Sequence, residues 1–112
     1  MYRDFTCIDD IVDGVEQVMH KAPSGDHFHR VLNIGRGNPV SLMDFIAAIE
    51  SALGKNATKQ FSAIQPGDVP RTFASTGKLQ SLTGYKPRVG VNEGVKKFVN
   101  WYTGEWLPLL RR

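Results

Sequence analysis

Gln65-Pro66-Gly67-Asp68-Val69-Pro70-Arg71-Thr72-Phe73-Ala74-Ser75 lies between a strand-like run, Lys59 to Ile64, and a helix-like one, Thr76 to Thr83. Pro66-Gly67-Asp68 is turn chemistry: proline presets φ for the first turn position, glycine accepts positive φ, and aspartate can bond local amides. A loop of this kind, held between two ordered elements, presents backbone N–H groups together with Gln65, Asp68 and Arg71. That inventory suits a phosphorylated, hydroxyl-rich ligand better than an apolar one. Taken by composition alone, it is also the inventory of an ordinary polar connection.

Working outward, the chain alternates strand-like and helix-like segments. Residues 3–8 read as a short strand with Phe5 and Cys7 on one side. Asp9 and Asp10 then stand where an N-cap belongs, and Ile11, Val12, Val15, Val18 and Met19 recur at helical spacing until Pro23-Ser24-Gly25. A second strand is expected over Arg30–Ile34. Ser41 and Asp44 have capping-box spacing, and Leu42, Phe45, Ile46, Ile49 and Leu53 form one stripe ahead of Gly54. After a third strand at 59–64 and the central loop, Ser75 caps a short helix ending at Gly84. A last helix runs from about Val91 to Trp106, with Val91, Val95, Phe98, Val99 and Tyr102 inward and Pro108 terminating it. The pattern predicts one α/β (α+β) domain over 1–112, a small mixed sheet with about four helices. Trp101, Trp106 and Leu107 to Leu110 leave more apolar surface than one stripe needs, as at a self-association face or beside an absent neighbour.

The chain has 112 residues, 41% hydrophobic and 22% charged, a composition that fits one globular core. Its net charge of +3 is dispersed, with no basic stripe interleaved with aromatics, which argues against nucleic acid. The single cysteine, Cys7, excludes an internal disulfide and fits a reducing compartment. No signal-like start and no long apolar run is present, so no membrane partner and a cytoplasmic location are expected.

Several clusters invite a chemical reading. Asp4, Asp9, Asp10 and Asp13 are dense enough for a metal or acid/base site, but carboxylates at a helix start more simply stabilise its dipole. Gly35-Arg36-Gly37-Asn38-Pro39 lacks the third glycine of a dinucleotide fingerprint and the Lys-Ser/Thr of a P-loop, and reads as a turn. His27 and His29 alternate, yet two ligands do not close a zinc site. Ser41 and Ser75 stand at cap positions, and no nucleophile–base arrangement is apparent. No metal and no catalytic residue is therefore assigned.

Gln65-Pro-Gly-Asp-Val-Pro70, with Arg3-Asp-Phe-Thr-Cys-Ile-Asp-Asp10 and the closing Gly84-Tyr-Lys-Pro87, Glu93-Gly-Val95 and Phe98-Val-Asn-Trp-Tyr102, resembles the C-terminal part of the NAD-dependent nucleotide-sugar epimerases. These belong to the extended short-chain dehydrogenase/reductase group, and the Gln-Pro-Gly-Asp-Val run is similar to its UDP-glucuronate 4-epimerase branch. The resemblance covers nearly the whole chain in order. It implies that Arg3 contacts the diphosphate of a UDP-sugar, a role suited to a planar guanidinium. It implies that Asp68 meets the uridine ribose, and that the residue at 65, often Arg in relatives, reaches the nucleotide. Here Gln65 keeps hydrogen bonds without charge, and nearby Arg71 is inferred to supply it. The resemblance also makes Asp10 structural and 35–39 a strand-to-helix turn. Ser75 departs from the Asp common at that place, and Cys7 from a bulkier Tyr or His.

What the resemblance implies for an intact enzyme is oxidation at C4 of the sugar by NAD, rotation of the keto sugar and reduction from the other face. The Rossmann domain that carries the glycine fingerprint is absent. So is the Tyr-x-x-x-Lys pair: four residues beyond Tyr2, Tyr85 and Tyr102 stand Thr6, Val89 and Trp106. The expectation is a UDP-sugar-binding part that holds no cofactor and is inactive alone, with the missing Rossmann domain as its partner. The alternatives are a stand-alone nucleotide-sugar-binding or interaction module, or a non-functional remnant stabilised as a homodimer through exposed apolar surface.

Overall fold

The structure, a computed structural model, describes residues 1–25 and 29–110. Its elements in chain order are β1 (Tyr2–Arg3), α1 (Ile8–Met19), β2 (Val40–Ser41), α2 (Leu42–Leu53), α3 (Gly77–Thr83), α4 (Val91–Trp101), a π-helical turn (Tyr102–Trp106) and α5 (Leu107–Leu109). The small α/β architecture with four principal helices is as expected. β1 pairs antiparallel with β2 in the register Tyr2↔Ser41 and Arg3↔Val40. A parallel bridge joins Tyr2 to Arg71, so the chain after the central loop lies along the other edge of β1.

The helix signals hold where periodicity and caps agree. The Ser41 hydroxyl oxygen accepts from Asp44 N at 3.0 Å and donates to the Asp44 carboxylate at 2.7 Å, and Gly54 closes α2 in the left-handed region. α2 packs on α4 through Ala48, Val95 and Val99, with Phe45, Ile49, Ala52 and Val91 around them. Phe5 stacks on Phe45 with ring centroids 3.8 Å apart, tying the N-terminal segment to this core. On α3, Leu79 is fully buried.

Elsewhere the expectations need correction. Asp9 and Asp10 lie inside the first turn of α1, and Cys7 takes the N-cap position without a side-chain bond. Thr76, not Ser75, precedes α3. Phe98 faces outward, because α4 turns only Val95 and Val99 fully into the core. Pro108 sits within α5, where the missing N–H of an early helical position costs no bond, and does not terminate the helix. The strand expected over 3–8 is confined to Tyr2–Arg3. Residues 30–34 keep a strand's alternation, Leu32 and Ile34 inward of Val31 and Asn33, but no ladder forms. Residues 59–64 are wholly exposed and unladdered, their start pinned to the end of α2 by the Lys59–Glu50 ion pair and the Ala57 N bond to Glu50 Oε1 at 2.7 Å. A strand is completed only by a neighbour, and β1 and β2 cannot reach these runs.

Asp10 is 3% exposed and fully bonded. Its Oδ1 accepts from Arg88 N at 2.9 Å and from the Tyr85 hydroxyl at 3.2 Å, and its Oδ2 accepts from Val89 N at 2.9 Å. The Tyr85 hydroxyl also donates to the Asp10 carbonyl oxygen at 2.7 Å. These bonds tie the start of α1 to the segment between α3 and α4. Burial, with the adjacent Asp10 carboxylate, pushes the Tyr85 phenol up to about 12.

The radius of gyration, 17.6 Å, exceeds the roughly 13 Å of a compact chain this long. The accessible surface, 8662 Å², likewise exceeds the roughly 6,200 Å² expected for its mass. Much of the excess is apolar: Ile8, Val12, Val15 and Met19 form an exposed stripe on α1, beside the inward Ile11 and Val18. Trp101, Trp106, Leu109 and Leu110 are exposed at the tail, as the sequence anticipates. Among the described residues no helix is long and apolar enough to cross a membrane.

Two predictions follow from this packing. A β-carbon at Gly35 would stand 2.4 Å from Ala74 Cβ, whereas one at Gly104 meets nothing within 4 Å. Gly35→Ala should therefore lower stability by about 1–3 kcal/mol in a urea titration, and Gly104→Ala should not lower it. A phenol whose pKa is raised on folding contributes stability that is complete below its unfolded value, about 10, and is lost as pH rises towards 12. Unfolding free energy should thus fall between pH 10 and 12 more steeply for the unsubstituted chain than for Tyr85→Phe; equal slopes would contradict the raised phenol.

Candidate functional site

β1 and the 65–75 loop meet along one edge. Tyr2 N donates to Pro70 O at 2.9 Å, and Thr72 N donates to Tyr2 O at 3.2 Å. Arg3 Nη1 donates to Val69 O at 2.6 Å and to its neighbour's carbonyl, Tyr2 O, at 3.0 Å. The Arg71 guanidinium carbon lies 5.9 Å from the Tyr2 ring centroid, within cation–π range. Within the loop, Asp68 N donates to Gln65 O at 3.1 Å and Gly67 has φ +93, the type II pattern that Pro66-Gly67 favours. The turn is closed by backbone, so the Asp68 carboxylate is not spent on local amides as the sequence allows; it makes no hydrogen bond among the described residues.

The four sequence-predicted residues are therefore gathered on one structural unit. Arg3 grips the loop at Val69, next to Asp68, and Arg71 lies two residues further on, over Tyr2. Gln65 opens the same turn. Gln65, Asp68 and Arg71 are exposed, and Arg3 is half-buried. A guanidinium has five N–H donors. Both Arg3 bonds come from Nη1, which leaves its Nε and Nη2 donors for a ligand among the described residues.

The acidic cluster divides. Asp9 pairs with Lys97 at 2.8 Å on the surface, and this bond holds the Lys97 ammonium above its usual range. Asp10 serves the fold. Asp4 faces elsewhere: its Oδ2 accepts from Gly37 N and Ala74 N, each at 3.0 Å, and its Oδ1 accepts from Asn38 N at 3.3 Å. The Gly35–Asn38 loop thus spends its amides on a carboxylate of the chain, which excludes it as a phosphate cradle and agrees with its reading as a turn. Among the described residues no group of three or more His, Cys, Asp or Glu is placed to hold a metal. His27 lies outside the described residues.

Sequence reasoning passed over Asp4 as a separate group and did not single out Tyr2, Thr72 or Tyr85. It was marked only as one of four neighbouring aspartates and as part of the run after Arg3, neither of which tells which segments its carboxylate reaches. A polar depression of about 410 Å³, lined by Asp4, Thr6, Asn33, Gly35, Thr72 and Ala74 among others, borders this junction. A second depression of about 410 Å³, mainly apolar, lies between residues 5–8 and α4. Arg3, Gln65, Asp68 and Arg71 line neither, so the gathered residues form an open edge and not a cavity.

No protein-family model matches the chain. It is 44% identical over 117 aligned positions to a probable UDP-glucuronate 4-epimerase of Rhizobium meliloti, a match that covers 91% of this chain and 34% of that protein. It is 35% identical to a UDP-glucuronate 4-epimerase of Thermodesulfobacterium geofontis, over 88% of this chain and 29% of that one. The chain spans about a third of the length of the curated relatives it matches. Among solved structures, UDP-glucuronic acid 4-epimerase from Bacillus cereus, in complex with UDP-glucuronic acid and NAD, superposes with a TM-score of 0.72 at 33% identity, over 83% of this chain and 29% of that one. UDP-glucose 4-epimerase from Bifidobacterium longum, in complex with NAD+ and UDP, shares the fold with a TM-score of 0.80 at 24% identity, over 91% and 30%. In sequence and in fold, the chain belongs with the NAD-dependent nucleotide-sugar epimerases of the extended short-chain dehydrogenase/reductase group, as a match to their C-terminal part, and with the UDP-glucuronate 4-epimerases among them.

Proposed function

We propose that this chain is the nucleotide-side grip of a UDP-glucuronate 4-epimerase-like enzyme. In this reading Arg3 meets the diphosphate, Asp68 accepts from the vicinal ribose hydroxyls, Gln65 hydrogen-bonds the nucleotide, and Arg71 adds positive charge. The observation that carries it is the 2.6 Å bond from Arg3 Nη1 to Val69 O, which sets a phosphate-binding guanidinium against the loop that bears the other three. An open, exposed edge with two cations and one free carboxylate suits half of a site whose other wall comes from elsewhere. The glucuronate branch is supported by the identities to glucuronate epimerases, and not by any residue of this chain that faces the sugar.

The relatives' structures were determined with NAD bound. The residues of this chain do not fit that cofactor. Its one glycine-rich loop turns the Gly37 and Asn38 amides onto Asp4, and no Tyr-x-x-x-Lys is present to hold a ribose or a proton. NAD and the hydride chemistry then belong to an N-terminal Rossmann domain, and the chain alone is catalytically inactive. The exposed stripe on α1 and the surface in excess of a compact chain support a covering partner of that kind.

A second reading, a homodimer that covers the same apolar surface, draws on the same excess area. Two measurements separate them. Mixing the chain with an NAD-loaded N-terminal fragment of a relative should restore 4-epimerase activity if the first holds. A stable dimer by light scattering that neither responds to UDP nor restores activity supports the second.

The site itself is tested by calorimetric titration with UDP. Arg3→Ala and Asp68→Ala should each weaken binding by about 1–3 kcal/mol, the loss of a charge-assisted hydrogen bond. Unchanged affinity in either variant removes that residue from the site.

A further inference from the structure

We infer that Asp4 is the positioning residue of this grip, an internal anion that locks the ligand-bearing loop to the 36–38 turn so that Arg3, Asp68 and Arg71 keep their arrangement. Its consequence for ligand binding rests on the proposed UDP site; its role in joining the two loops does not.

One carboxylate accepts from three backbone amides that lie 33, 34 and 70 residues away in sequence, those of Gly37, Asn38 and Ala74. The Asp4 N–H donates to Thr72 Oγ1 at 3.0 Å, and two residues on, Thr6 Oγ1 accepts from Arg36 N at 3.0 Å. Amides converging on one point form an anion-binding concavity. Here the anion is built into the chain and is part-buried, so the bonds are not traded for water.

Arg3 ends β1 and Asp4 follows it, and their side chains reach different parts of the loop. Arg3 takes the loop at Val69, and Asp4 takes it at Thr72 and Ala74. Asp68 lies just before this clamped stretch and Arg71 inside it. Between these two holds Tyr2 bonds the loop backbone at Pro70 and Thr72, so what Asp4 adds is the far end of the clamp, at Ala74, and its tie to the 36–38 turn. The junction is also sterically closed. A β-carbon at Gly35 would meet Ala74 Cβ at 2.4 Å and Asp4 Oδ2 at 3.2 Å, so the turn and the loop approach as closely as glycine permits.

The test compares Asp4→Asn, Asp4→Ala, Thr72→Val and Asp10→Asn with the unsubstituted chain, by UDP titration and by amide hydrogen exchange at a temperature where each is folded. Asparagine keeps one acceptor oxygen and puts donors where Asn38 N–H points; alanine removes every acceptor. The dissociation constant for UDP should rise about tenfold in Asp4→Asn and further in Asp4→Ala. Exchange at Gly37 and Ala74 should accelerate together in both. Asp10→Asn breaks an equally well-bonded carboxylate remote from the loop, so it should lower the melting temperature while leaving the dissociation constant within about twofold. That contrast separates positioning from a general loss of stability. If Asp4→Ala does not fold, Thr72→Val, which removes only the acceptor of Asp4 N–H, reads the same junction. The inference is overturned by Asp4→Asn binding UDP within about twofold of the unsubstituted chain, or by Gly37 exchanging faster without Ala74. A chain that ignores UDP altogether refutes the proposed site, and the joint exchange of Gly37 and Ala74 then decides the role of Asp4 alone.

Discussion

Asp10 buries a carboxylate at 3% exposure, a placement that costs several kcal/mol unless the charge is met by donors. It is met by two backbone amides and a phenol, from a segment more than seventy residues away in sequence. Asp4 repeats the arrangement with three amides from two other segments. The dependence on these two groups follows from the sheet, which among the described residues has two strands of two residues each and orders little backbone by itself. Where a longer ladder would fix loops by repeated weak bonds, this fold fixes them by single carboxylates accepting several. Such a joint is stronger per residue and less forgiving, because removing one side chain leaves several part-buried amides unpaired at once.

The helical core works on different physics. Ala48, Val95 and Val99 let α2 and α4 approach closely, and Phe5 on Phe45 extends their contact to the strand that carries Arg3. This places the site at the border between a packed half, α2 with α4, and a half held mainly by hydrogen bonds. The loop that presents Gln65, Asp68 and Arg71 has no buried side chain from 55 to 71 and takes its position from β1. Its order is borrowed from the two residues that end that strand.

How far the sequence could be read follows from which forces are local. α2 was legible because its stripe, its Ser41 cap and its Gly54 terminus are encoded within fourteen consecutive residues. The Pro66-Gly67 turn was legible for the same reason. The strands at 30–34 and 59–64 were not, because alternation marks a surface fit for pairing while the ladder depends on a neighbour supplied from elsewhere. Asp9 and Asp10 were placed at the cap when they stand two and three positions beyond it, since a carboxylate is favourable both at an N-cap and within the first turn. Phe98 misled because α4 has more apolar residues than its contact with α2 can bury. Among the site residues, Arg3 was reached through the family resemblance. The partner it grips, a backbone carbonyl at Val69, has no sequence signature at all. Asp4 was grouped with aspartates it never meets, because closeness in sequence says nothing of which segments a side chain reaches.

The apolar face of α1 carries the argument furthest. Ile11 and Val18 point into this chain, while Ile8, Val12, Val15 and Met19 point out of it. These residues are neighbours around the helix, so α1 has one apolar face wider than the contact it makes, and its outer flank is left for another surface to cover. Among the described residues nothing covers that flank, and the accessible surface exceeds that of a compact chain of this mass by about 2,500 Å². An obligate interface of the kind that resembles a core cut in half buries 2,000 Å² or more in total, counting both partners. The excess lies on one partner alone and compares with half of that total, so it is ample for a large covering surface and too large for scattered exposed side chains. α1 begins five positions after β1 ends, so the strand that bonds the 65–75 loop leads into the helix that carries the uncovered apolar flank.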